Sequence, residues 1–257
     1  MKFLDFIILV DTKAKMSLKA EASKLYLSFL WWIIEPILFV LAFYFVFAIL
    51  LKTRQEDFLL FLMCAKIPYM WFSKAVTTAS GSIVANRGII SQIDIPKTIF
   101  PYAAIQISLY KETPVFLLLF AMCIYYGYMP SIEWLWLIPL FVAMYLMIVT
   151  FGLLTAILVS YADDIRMVIN MGMLFLMFSS GIFFDITSIH QPLQDYLLTW
   201  NPLAFLCDGF RKVLMNKGTY NINHLLALLV VFSGAIAGLH LLYRNISRTL
   251  AARVVNA

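Results

Sequence analysis

Charge is scarce in this sequence. Of 257 residues, 13% are Asp, Glu, Lys or Arg and 63% are hydrophobic, far too much apolar surface for a soluble domain of this size. Histidine and cysteine are scarcer still, at three each. His190, His224 and His240 are scattered, as are Cys64, Cys123 and Cys207. This excludes a disulfide framework and a metal-ligand cluster, and the cysteines read as inert buried thiols. No G-x-x-x-x-G-K-[ST] loop occurs, so the chain holds no usual cradle for nucleotide phosphates. Asp163 and Asp164 are adjacent and diverge on a helix, which argues against a catalytic carboxylate pair. The formal charge of +5 is modest, and its basic residues lie in loops and at the two ends. Topology and lipid headgroups account for that pattern better than nucleic acid does. No small-residue cleavage site precedes the first long apolar run, so no removable signal peptide is expected.

What the chain has in abundance is long apolar runs. From Phe29 to Leu51 only Glu35 can carry a full charge, and a bilayer core needs about 20 apolar residues in a helix. Trp31 and Trp32 open this run at the level where amphipathic rings favour the water interface, while Glu35 and Pro36 add a costly acid and a helix-disturbing residue. Five further spans follow the same logic, giving 29–51, 58–84, 102–126, 134–161, 165–184 and 225–243. The expected fold is therefore an all-α integral membrane protein with six transmembrane helices.

Between the spans lie segments of intermediate character. Residues 2–27 alternate apolar clusters with Lys13, Lys15, Lys19 and Lys24, a spacing that suits a helix lying in the headgroup plane. Residues 85–98 are too polar to span and suit a short amphipathic surface helix broken before Pro96. Residues 185–223 contain apolar pieces too short to cross, and one or two short helices dipping into the interface are expected there. Lys and Arg concentrate on the side that holds both termini, which places both ends in the cytoplasm and 185–223 outside.

Several stretches resemble the membrane subunits of ABC-2-type transporters that export polysaccharides, including O-antigen, capsule and teichoic-acid exporters. They are Phe29-Leu30-Trp31 through Glu35-Pro36, Ile67-Pro68-Tyr69-Met70-Trp71-Phe72-Ser73, Ala85-Asn86-Arg87-Gly88, Asp164-Ile165 and Trp200-Asn201-Pro202. Their order and spacing within a six-span chain carry the resemblance; no single tetrapeptide does. Two departures stand out: relatives often have Arg-Tyr where Glu21-Ala22 stands, and Gly where Ser28 stands.

The resemblance implies a homodimer in the cytoplasmic (inner) membrane with two copies of a separate Walker-type ATPase, which would hold ATP and Mg; this chain itself would hold no cofactor. It implies that 85–98 is a coupling helix docking in a cleft of the ATPase, with Arg87, Ile89, Ile90, Ile93 and Asp94 as contact candidates. It likewise implies that 2–27 is an interfacial gate helix and 185–223 a pair of extracytoplasmic re-entrant helices. The substrate would be a polysaccharide or glycolipid, with an ABC-2 permease for drugs or lipids as the alternative. Membrane lipid is the remaining partner.

A hydrophilic polymer cannot cross hydrocarbon unaided. Aromatic rings can offer sliding contacts to the apolar faces of sugars, and Trp31, Trp32, Phe43, Tyr44, Phe47, Tyr69, Trp71 and Phe72 form the pool for such a lining. Each competes with a plain packing or belt role. Lys66 and Lys74 are expected either to snorkel and pair with Glu35 or Glu112, or to face a wet conduit and attract an anionic polymer. Glu35 and Pro36 are assigned to helix geometry at the gate.

Overall fold

The structure, a computed structural model, describes residues 3–24, 30, 34, 35, 37, 38, 41, 42, 44–50 and 57–256. Every regular element among the described residues is helical. The chain begins with α1 (Phe3–Lys24), and the described part of the first apolar run ends in a π-helical turn, Phe45–Leu50. Next come α2 (Phe58–Ser80), the single turns α3 (Ser82–Ala85) and α4 (Arg87–Ile90), and α5 (Ile99–Tyr125). A 3-10 turn, Ile132–Trp136, leads into α6 (Leu137–Tyr161), which is followed by α7 (Ile165–Ser179). Two short helices, α8 (Gln191–Trp200) and α9 (Pro202–Leu214), precede the long α10 (Ile222–Asn256).

Four helical segments are long and apolar enough to cross a bilayer: Phe58–Ser80, Ile99–Tyr125, Ile132–Tyr161 and Ile222–Val254. At 15 residues α7 reaches only about 22 Å, short of a hydrocarbon core. It stops there because the chain turns at Gly181, whose φ of +69° suits glycine.

The bundle is assembled around α2. Eighteen of its 23 residues are buried, and it packs against α5, α6 and α9. A helix that is apolar on all sides must be enclosed by others or by lipid, and α2 is enclosed. Pro68 sits within it; neighbouring helices can accommodate the backbone carbonyl that a proline leaves unbonded.

Two contacts define the packing. Gly152 of α6 lets three helices close together, because a Cβ there would come within 2.9 Å of Ile105 on α5 and 3.2 Å of Ala79 on α2. Near the middle of α2, Trp71 meets Phe116 edge-on at 5.9 Å, Phe116 meets Phe141 at 4.8 Å, and Phe141 meets Phe210 at 5.0 Å. That aromatic chain links α2, α5, α6 and α9.

By contrast α10 is peripheral. Only 11% of its most apolar stretch is buried, and its inner side packs along α6. Its 35 residues extend about 52 Å, more than a bilayer with its headgroups. The helix does not end near Tyr243 as the hydropathy suggests; it runs on through Arg244, Arg248 and Arg253, and Arg253 rests over the Tyr161 ring at 5.2 Å.

Candidate transport site

The first group of candidates lies where α2 ends. The segment expected as one helix over 85–98 is instead two single turns separated at Asn86, followed by a turn and irregular backbone up to Pro96. The cause is local. The Asn86 side chain donates to the Ser82 carbonyl at 2.7 Å, an alternative to helical pairing. Gly88 lowers helix propensity, and Pro96 disfavours helix at Ile95.

Arg87, Ile89, Ile93 and Asp94 are exposed, whereas Ile90 is buried against the core. Two isoleucines at 40% and 55% exposure are costly in water and suit contact with another surface. Asp94 pairs with Lys97 at 3.0 Å.

This segment is tied to α1. Lys13 donates to Asn86 Oδ1 at 2.8 Å and lies 5.3 Å from the Phe100 ring, and its partial burial depresses the ammonium pKa. Two further links join α1 to α5. Tyr110 donates to Asp11, and Lys111 reaches both carboxylate oxygens of Glu21 at 2.6 Å. Sequence reasoning singled out Glu21 only as a departure from the resembling family; here it is one half of an ion pair.

The second group lies within the apolar part of the bundle. Lys74 pairs with Glu35 at 2.8 Å, both side chains being partly exposed. This is one of the pairings weighed from sequence. Glu112 on α5 is buried, within electrostatic range of both, and its Oε1 has no partner among the described residues.

Lys66 lies elsewhere. It is buried, 2.9 Å from the Met177 sulfur on α7 and 4.9 Å from the Tyr69 ring. Tyr69 in turn donates to the Met173 carbonyl at 2.5 Å. The two lysines therefore meet different neighbours and do not form one cationic stripe in this arrangement.

Of the aromatic candidates, Trp71 and Phe72 are each 2% exposed and pack against Phe116 and Phe151. Both face protein in this chain and present no sliding surface in this conformation. Tyr44 is half-buried against the core. Trp31, Trp32, Pro36, Phe43 and Ser28 lie outside the described residues.

A third group was not singled out from sequence. Arg211 on α9 is 3% exposed. Its guanidinium donates to the carbonyls of Gly181 at 3.0 Å, Ile182 at 3.1 Å and Phe61 at 3.3 Å, and stacks 3.6 Å from the Phe61 ring. It joins α9, the turn after α7 and the start of α2, at the end of α2 opposite the coupling candidates. The available signal was a basic residue on a short helix with a strong start: Asn201 Oδ1 accepts from Leu203 and Ala204 at 3.1 Å and Pro202 takes the first helical position. Counting it as a loop charge hid it.

Outside the bundle, Met167, Val168, Met171, Leu174, Phe175 and Phe178 form an exposed apolar stripe on α7. Among the described residues no group of His, Cys, Asp and Glu is placed to hold a metal ion.

Known proteins are similar to this chain over most of its length. An O-antigen export system permease protein RfbA of Klebsiella pneumoniae is 26% identical over 238 residues, covering 91% of this chain and 90% of the relative. RfbA of Myxococcus xanthus is 23% identical, covering 87% and 86%. The polysialic acid transport protein KpsM of Escherichia coli is 25% identical, covering 81% of each. The ABC-2 type transporter family matches residues 17–215, which include α2, α5, α6 and α9. The chain is thus a membrane subunit of a transporter, and it belongs to the ABC-2 type transporter family.

Proposed function

We propose that this chain is the permease of an ATP-driven exporter that moves a lipid-linked cell-surface polysaccharide, O-antigen or capsule, across the cytoplasmic membrane. The observation that carries this reading is similarity over most of the chain to O-antigen export permeases and to a polysialic acid transport protein, in a sequence with no usual nucleotide cradle of its own. Energy must then come from a separate Walker-type ATPase binding ATP and Mg.

The working unit is two copies of this chain and two of the ATPase, in the inner membrane, with both termini cytoplasmic. Six spans are completed by the first apolar run and by residues 165–184, in which α7 is too short to cross alone and the turn after it supplies the remaining depth, with α8 and α9 re-entering from the outer side. The exposed Arg87, Ile89, Ile93 and Asp94 dock on the ATPase, and Ile90 anchors the segment from beneath. Lys13–Asn86 carries its displacement to α1.

The polymer conduit forms between the two copies, on the face where Tyr44, Glu35 and Lys74 are partly exposed. Trp71, Phe72 and Tyr69 support that face from behind. The apolar stripe of α7 supports a second copy, since a membrane-facing surface that contacts neither core nor water is free to pair.

Deleting the gene tests the reading. Surface polysaccharide should disappear while polymer accumulates inside the cell; an unchanged polysaccharide coat with a lost drug or lipid export would overturn it. The purified chain alone should hydrolyse no ATP.

A further inference from the structure

Two of the three cysteines, far apart in sequence, are brought together by the fold. Cys64 lies on α2 about 9 Å of helical rise from its start, and Cys123 lies on α5 about 3 Å from its end. The two helices pack against each other, and these two ends coincide. Tyr128, just beyond α5, donates to Asp57, just before α2, at 3.0 Å, and the Tyr128 N–H turns back to the Cys123 carbonyl at 2.9 Å. Both cysteine side chains are fully buried, and the two thiols share a side-chain hydrogen bond. This is the end of α2 that Arg211 closes, away from the docking segment. The orientation proposed above puts it toward the outer face of the membrane, where thiols meet an oxidising compartment.

Burial in the finished fold does not bar chemistry at this pair, because its cover arrives last. The cover is α9, whose Cys207 thiol donates to the Ala65 carbonyl at 3.5 Å and whose Arg211 Nε donates to the Phe61 carbonyl at 3.3 Å. Residues 202–214 follow both partner spans in the chain, so Cys64 and Cys123 can meet before α9 seats over them. Toward the opposite end of α2 the same two helices already close across Gly152, through Ala79 and Ile105.

We propose that Cys64 and Cys123 are a disulfide-forming pair, oxidised in the mature protein and pinning the end of α5 to the start of α2; the oxidising side rests on the orientation proposed above. One cysteine loses its proton and attacks a protein disulfide of the extracytoplasmic compartment, forming a mixed disulfide and releasing one sulfur of the oxidant as a thiolate. The second cysteine then displaces the other sulfur. The S–S bond closes between Cys64 and Cys123, and the oxidant leaves as a dithiol carrying the two electrons and both protons. Once α9 is seated, burial shields the bond from reducing thiols, which need access to a sulfur.

The test is peptide mapping by mass spectrometry of the full chain taken from its own membrane, with free thiols blocked by N-ethylmaleimide as the protein is denatured. The peptides holding Cys64 and Cys123 should appear joined, and Cys207 should be blocked as a free thiol. Reduction should separate the joined peptides and lower the Tm of wild-type protein in detergent by at least about 4 °C. Cys207→Ser should keep that sensitivity, and Cys64→Ser combined with Cys123→Ser should lose it. Wild-type protein with Cys64 and Cys123 both blocked, or with Cys64 joined to Cys207, would overturn the proposal. Protease protection of a C-terminal tag in spheroplasts reads the orientation separately. Free thiols at both positions with polysaccharide export intact would remove the bridge alone and leave the transport reading standing.

Discussion

The two ends of α2 are finished in opposite ways. At its start, Arg211 gathers three backbone carbonyls from separate parts of the chain, Asn201 caps α9, and nearly all of α9 is buried. At its far end the chain leaves in two single turns and irregular backbone, with isoleucines in the open and one long-range side-chain bond, Lys13 to Asn86, linking that stretch to α1. Buried, charge-assisted bonds resist local opening, whereas short exposed turns lie at the low-stability end of a structure. One end is built to hold still. The other is the looser end, which suits the docking role proposed for it.

The sharpest way to break this contrast is Arg211→Ala. It strands three carbonyls in an apolar setting, and charge-assisted bonds of this kind contribute about 1.5–3 kcal/mol each. We expect a loss of at least about 3 kcal/mol, read as failure to recover monodisperse protein by fluorescence-detected size exclusion. Normal thermal stability would show that the end is not held by this residue. Next in size, Gly152→Val overpacks the meeting of α2, α5 and α6 and should cost about 1–3 kcal/mol, measured as a lowered Tm in detergent.

Lys13→Ala removes one hydrogen bond and a ring contact at the exposed end, for about 1 kcal/mol. Hydrogen exchange should increase over 82–96 and leave α9 unaffected. The smallest stability effect belongs to Ile89→Ser with Ile93→Ser, within about 0.5 kcal/mol of wild type. The same pair should nonetheless reduce surface polysaccharide at least tenfold. Normal export by that variant would remove the docking role from this segment.

The all-helical character and four long apolar helices were legible because apolar length is decisive in a bilayer. Their ends were less so. The last span is expected to end at Tyr243, and helical hydrogen bonding does not stop where charges begin, so α10 continues past three arginines to Asn256. The third span was started at Tyr102, yet α5 begins at Ile99, since Pro101 is tolerated in a first turn.

The side-chain contacts of the candidate residues were only partly legible. Lys74 with Glu35 was one of two readings open from sequence, and nothing in the spacing could choose between them. Lys66 and Lys74 shared the same two readings from sequence, and in the structure Lys66 meets Met177 of α7 while Lys74 pairs with Glu35. Arg211 was invisible because a basic residue between spans reads as a topology signal, and only tertiary contact reveals three carbonyls waiting for it. The ion pair of Glu21 with Lys111 was hidden for the same reason, the partners being 90 positions apart.

Gly152 carries a consequence for how the transporter changes shape. Where a hydrogen takes the place of a side chain and three helices touch through it, sliding any one of them past the others would open a void that no neighbouring side chain fills. Any movement within this chain is therefore to be sought at the seams around α2, α5 and α6, with this trio travelling as a single solid piece.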